Sequence, residues 1–428
     1  MTAPGSSTSR RAPHRTAATW TAYVLLGHYA FVVSAIGPAV AFLRDERALS
    51  YTAGGLHFSA LAAGVVIAGA FGDALVHRHG RRALLTAGLL GFTAAQGAFV
   101  LGPTLGATVA SAALMGLFGG LVLSGSTAVL TTEHPRHRAA ALAEANTAAS
   151  AMAVAAPLLL GAGAATTFGW RPGVVATTPI ALACAVLVRK LPDRGEDAAG
   201  PVRRRPGGRR RAEPLPPRFW TLWFLLFLVD AVEFSVAFWS ASYLEDAVGL
   251  ARPVAASAAG AFLVGMLAGR AAGSLLARGA GRERTLLTGA LALAGLGFLI
   301  YRLGPGWVTG GGGASAATGT TAVVGLLLLG LGVANLWPLS LSLALEASGG
   351  RPDAAAARSS LAAGVAILVA PFLLGRLADH FGLAPAHWIV PVLLGAAGVV
   401  LWWGTDRGPR NGRPVRTDRG VRGRRLVG

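Results

Sequence analysis

Asp230 and Glu233 stand three residues apart in a stretch, 219–244, that holds no other acid or base. A helix turns once in about 3.6 residues, so both carboxylates face the same way, and Ala237 and Ser240 continue that face. Two carboxylates this close in a low-dielectric setting do not easily both ionise, so one of them holds a proton at neutral pH. Such a pair can carry protons or bind a cationic ligand. A structural ion pair, for instance with Arg270, is the plainer use of the same atoms.

Other polar residues lie inside apolar stretches, where each is costly and therefore informative. His28, with an ordinary pKa of about 6.5, suits proton transfer or simple hydrogen-bonded packing. Glu144 and Asn146 stand near the start of a long apolar run; Glu144 can serve proton or substrate chemistry, or brace neighbouring helices. Asn335 and Trp337, just before Pro338, are candidates for a cavity wall together with Asn146 and Ser240, with core packing as the alternative. Phe227, Phe234 and Phe238 form an apolar stripe beside the acidic pair, read as packing. Arg376 and Asp379 are placed to form an outer gate or a local ion pair. The sequence has no Gly-Lys-Ser/Thr phosphate loop, no His-Glu-x-x-His and no Gly-x-Ser-x-Gly, and its one cysteine, Cys184, lies in an apolar run. No enzyme activity and no cofactor or metal is expected.

The elements that carry these residues are long and apolar. Hydrophobic residues make up 53% of the 428 and charged residues only 13%. A bilayer core of about 30 Å needs about 20 apolar residues to cross it as a helix. Twelve such spans are predicted, at 19–43, 52–76, 83–101, 106–131, 140–166, 172–189, 219–244, 254–277, 285–301, 320–346, 357–378 and 384–403. Each must be helical, because lipid offers the backbone no hydrogen bonds. The Gly-rich patch Gly310 to Gly313 reads as a loop. The net charge of +19 sits in alternate gaps and in the tails, which argues for membrane topology rather than for a nucleic-acid partner. Arginines crowd the gaps at 78–82, 136–138, 189–218, 278–284 and 351–358 and both termini, so both termini are expected in the cytoplasm and the chain in the cell's inner membrane.

The expected organisation is a basic tail (1–18), a six-helix bundle (19–190), an Arg/Pro-rich linker (191–217), a second six-helix bundle (218–404) and a second basic tail (405–428). The halves repeat. Ala-Pro-Leu-Leu-Leu-Gly at 156–161 answers Ala-Pro-Phe-Leu-Leu-Gly at 370–375, and Gly69, Arg78 and Arg82 answer Gly269, Arg278 and Arg282 at an offset of 200. Internal repeats of this kind mark secondary transporters, whose two bundles rock about a site near the midplane.

Six plus six spans, a long central loop and the basic Gly80-Arg81-Arg82 turn between spans two and three resemble the major facilitator superfamily over about residues 18–405. In that family's signature turn Arg78 fills the basic slot, while His77 takes the acidic slot and Asp73 the first glycine slot; alternatively Gly69 and Asp73 supply the start, with a longer loop. The resemblance implies an all-α membrane protein of two pseudo-symmetric bundles. It also implies a cytoplasmic gate built from Asp73, Arg78, Arg81 and Arg82, and a central cavity lined by spans one, four, seven and ten. Family exporters often carry Gly-Pro at the end of span five; here Ala156 precedes Pro157. The expected activity is alternating-access transport of a small molecule by a monomer, with proton-coupled uptake of a polar solute first. Proton-antiport efflux of an amphipathic compound is the alternative, and a non-transporting membrane sensor or scaffold stands as the reading of another class.

Overall fold

A computed structural model of the chain describes residues 15–189, 214–276, 282–309 and 316–406. The expected linker 191–217 lies outside these residues except at its end, as do most of both tails and the loop at Gly310 to Gly313. Sixteen helical segments build twelve spans among the described residues. The first five spans are α1 (Ala17–Glu46), α2 (Tyr51–His79), α3 (Arg81–Leu101), α4 (Leu105–Glu133) and α5 (Arg138–Ala164). Span six is α6 (Arg171–Val175) with α7 (Thr178–Arg189). The second half starts with α8 (Pro217–Asp246); α9 (Arg252–Ala258) and α10 (Gly260–Leu276) form span eight, and α11 (Glu283–Thr309) span nine. Span ten is α12 (Ala316–Val333) with α13 (Leu336–Glu346), span eleven α14 (Pro352–Phe381), and span twelve α15 (Leu383–Ala386) with α16 (Ile389–Asp406).

Three interruptions have one cause. A proline removes a backbone donor and its ring crowds the carbonyl four residues earlier. The break in span six follows Val175, four before Pro179; that in span ten begins at Ala334, four before Pro338; that in span twelve begins at His387, four before Pro391. Thr16, Ser50 and Thr104 cap α1, α2 and α4 through their hydroxyls, which satisfies amides that lipid could not.

The chain forms two bundles that meet along α1 with α8, α2 with α14, and α5 with α9 and α10. Glycine permits the closest of these approaches. A Cβ at Gly37 would lie 3.0 Å from the carbonyl of Phe238, and one at Gly375 would lie 2.6 Å from that of Tyr51. Gly161 meets Ser257 and the Pro253 carbonyl so closely that a Cβ there would collide. Gly161 and Gly375 are the last residues of the repeated six-residue block, so each half uses the same glycine to seat its fifth helix on the start of the other half's second.

Candidate functional site

A cavity of about 160 Å³ lies where the bundles meet. The first half lines it with Val33 and Ser34 from α1 and Ser150 and Ala153 from α5; the second supplies Glu233, Phe234, Ala237 and Phe238 from α8 and Leu263, Met266, Leu267 and Arg270 from α10. The helices expected to line it were spans one, four, seven and ten; α5 and α10 take the places of α4 and of span ten. Two of its lining residues, Glu233 and Arg270, pair Oε1 to Nη2 at 3.7 Å. The Glu233 side chain is 16% exposed and that of Arg270 50%, so the cation is the accessible partner. Asp230, one turn from Glu233, is 4% exposed and lies outside the cavity lining. Phe238 stacks on Phe58 of the other bundle, centroids 4.4 Å apart and rings nearly parallel.

Other expected site residues are elsewhere. His28 is buried between α1, α3 and span six; its Nδ1 is 2.8 Å from Thr177 Oγ1 and its ring meets the edge of Phe92. Glu144 accepts from Arg15 Nε at 2.8 Å and from Tyr23 hydroxyl at 2.8 Å, so it ties the entering chain and α1 to α5, outside the cavity. Asn146 is exposed on α5 and Ser240 buried, neither lining the cavity. Asn335 donates to the Gly269 carbonyl at 2.6 Å, in the break that Pro338 opens, and so joins span ten to α10 within one bundle. Trp337 packs half-buried against the core.

At the arginine-rich end, Arg81 donates to Thr132 hydroxyl at 3.1 Å, Arg78 is exposed, and the Asp73 side chain lies outside the described part of the molecule. The opposite end carries a clasp between the bundles that residue spacing did not disclose. Asp379 accepts from the backbone amides of Tyr51 at 2.7 Å and Thr52 at 2.8 Å, holding α14 to the first turn of α2; Arg376 is exposed and not the partner of Asp379. Arg252 pairs with Asp45 of the other bundle and with Glu245, the latter at 2.6 Å. Arg44 lies 3.6 Å over the ring of Tyr51 and 3.6 Å from Asp246, which accepts from the Tyr51 hydroxyl at 2.8 Å. One signal was available: at the offset of 200, Asp45-Glu46 answers Glu245-Asp246.

A family model described as Major Facilitator Superfamily matches residues 23–322. An uncharacterized MFS-type transporter of Yersinia pestis is 28% identical over 180 residues, which is 42% of this chain and 44% of that protein, so the match spans less than half of the curated relative. Among solved structures, a D-xylose–proton symporter superposes with a TM-score of 0.68 at 17% identity, over 90% of this chain and 96% of that one. The xylose transporter XylE from E. coli, inward open, gives 0.71 at 17% identity over 90% and 95%. A bacterial homolog of the lysosomal transporter Spinster gives 0.67 at 14% identity over 92% and 98%. The solved structures carry the fold, all-α with twelve apolar spans in two six-helix bundles, and the family match sets the chain among multi-pass membrane transporters rather than enzymes. The chain belongs to the major facilitator superfamily.

Proposed function

We propose that this chain is a monomeric secondary transporter of the inner membrane, with its arginine-rich end in the cytoplasm, that moves a small organic anion together with a proton. The observation that carries this reading is the Glu233–Arg270 pair in the cavity between the bundles, with Arg270 its exposed member. Glu233 has the Arg270 guanidinium at 3.7 Å and Asp230 lies one helical turn away, so the empty site balances when one of the two carboxyls holds a proton. An anion that takes Arg270 leaves Glu233 without a counterion, and a buried carboxylate without a partner is costly enough to take up a proton instead. Empty and fully loaded sites are then neutral, and both can cross the closed, low-dielectric state; sites with only anion or only proton carry unbalanced charge and cannot. That rule couples the two in the same direction. The charged centre of the cavity supports the polar part of the expected substrate, and Phe234, Phe238 and Met266 support an apolar part.

Proteoliposomes with an internal pH dye and an inward gradient of small organic acids and sulfonates test this. Wild type is expected to acidify the lumen with an accepted anion; Glu233→Gln is expected to keep anion exchange and lose acidification. Unchanged acidification in Glu233→Gln overturns the assignment. Anion flux with opposite proton flux identifies antiport, and no flux of either with any solute leaves the sensor or scaffold reading.

A further inference from the structure

Beyond the bundle cavity, the second half has a larger and more apolar space. Helices α10 and α11 both pack on span ten and scarcely touch each other. Between them lies a cleft of about 640 Å³, floored by Leu331 and Pro338 of span ten and flanked by Gly289 and Leu293 of α11. Its polar lining is Arg270, Thr285 and Asn335, and Arg270 is the same side chain that lines the bundle cavity. Gly289 faces open space: a Cβ built there meets nothing within 4 Å. The two halves differ here. At the repeat offset of 200, Ala70 answers Arg270, so the first bundle carries no cation at the matching place.

A half-exposed guanidinium at the mouth of an apolar cleft matches a ligand of one chemistry, a single anionic head on an alkyl chain. We propose that Arg270 holds such a head and that the chain lies in the cleft between α10 and α11 against span ten. This rests on Arg270 as the anion anchor and adds the substrate class, an amphipathic anion. The first turns of α11 beside the cleft belong to the arginine-rich end, so the chain would lie within one leaflet, and the occupant is a free single-chain amphipath rather than a two-chain phospholipid.

The test uses the purified full chain in a non-ionic detergent and n-alkanesulfonates from methane- to octanesulfonate, which stay charged and carry no proton across a membrane. Wild-type affinity is expected to rise about fourfold per methylene buried. Gly289→Phe fills the cleft at a position with free space; it is expected to flatten that ladder while binding methanesulfonate within about twofold of wild type. Gly289→Leu, a smaller change that favours the helix over glycine, is expected to shorten the ladder rather than abolish it. Arg270→Gln is expected to weaken every member by a similar factor. An identical ladder in wild type and both Gly289 variants, or no ladder in wild type, overturns the proposal. No ladder in wild type with its proton coupling intact sinks the cleft alone; an intact ladder in a wild-type chain without proton coupling sinks the transport reading alone. Octanesulfonate that phosphatidylglycerol does not displace supports the free amphipath; displacement by phosphatidylglycerol overturns that occupant and assigns the cleft to lipid.

Discussion

Glu233 and Arg270 are bound to each other by charge arithmetic as much as by geometry. Removing the cation leaves the largely buried Glu233 carboxylate uncompensated, which is worse than removing both. Arg270→Gln is therefore expected to lower the melting temperature more than the double variant Arg270→Gln/Glu233→Gln does; a double variant at least as unstable as the single one would show that the two side chains, 3.7 Å apart, do not interact. His28 is a contrasting case. Its partner is the Thr177 hydroxyl and its ring lies among apolar side chains away from Glu233, so His28→Gln is expected to leave proton-coupled flux unchanged, measured in the same dye assay. A loss of coupling there would place proton movement on α1 rather than α8. Asn335 closes a gap that Pro338 opens, and Asn335→Leu is expected to cost about 1 kcal/mol through its lost bond to the Gly269 carbonyl, read as a drop of roughly 2 °C.

At the scale of helices, the repeated Ala-Pro-x-Leu-Leu-Gly block acquires a mechanical meaning. Its proline weakens the helix ladder locally, and its glycine, one turn further on, seats against the facing bundle. Gly161 touches Ser257 and Pro253 at the start of span eight, and Gly375 touches Tyr51 at the start of span two. A side chain at either position acts as a wedge at the end remote from the arginine-rich loops. Gly161→Val is expected to hold that end apart. Because Cys184 is the single cysteine and is buried, a Cys184→Ser background with one cysteine placed at Ser257 reports the opening directly. Maleimide labelling from the outside should rise severalfold in the Gly161→Val variant; an unchanged rate would mean the contact yields without parting the helices. The block itself was visible as a repeat in the chain. Its contact partners were not, because they lie far off in the chain, Ser257 for Gly161 and Tyr51 for Gly375, and helical periodicity speaks only about neighbours on one helix.

At the scale of the whole molecule, what was legible in the chain is what lipid enforces. Backbone satisfaction requires helices and bilayer thickness fixes their length, so spans from 19–43 to 384–403 reappear as twelve helical spans, four of them in two segments each. What was not legible is pairing across bundles. Glu144 looked available until Arg15, 129 residues distant, occupied it, and Asp379 looked like the partner of Arg376 until the amides of α2 claimed it. The same limit hid the clasp of Asp45, Arg252, Glu245, Arg44, Tyr51 and Asp246, whose members come from four helices of both halves. Such partly exposed pairs contribute about 0–1 kcal/mol each, yet alternation needs only that two states lie within a few kcal/mol. Arg252→Gln removes the link to Asp45 and Asp379→Asn weakens the grip on the first turn of α2. Together they are expected to shift the population toward the state open at the clasp by about fivefold, since 1 kcal/mol corresponds to roughly that factor. Spin labels at the ends of α1 and α8 should then show a longer distance gaining weight in the variant; in wild type the same distance should gain weight as salt rises and screens the clasp, and the variant should respond less. A distance distribution identical in wild type and variant would mean that packing at Gly161 and Gly375, not charge, closes this end.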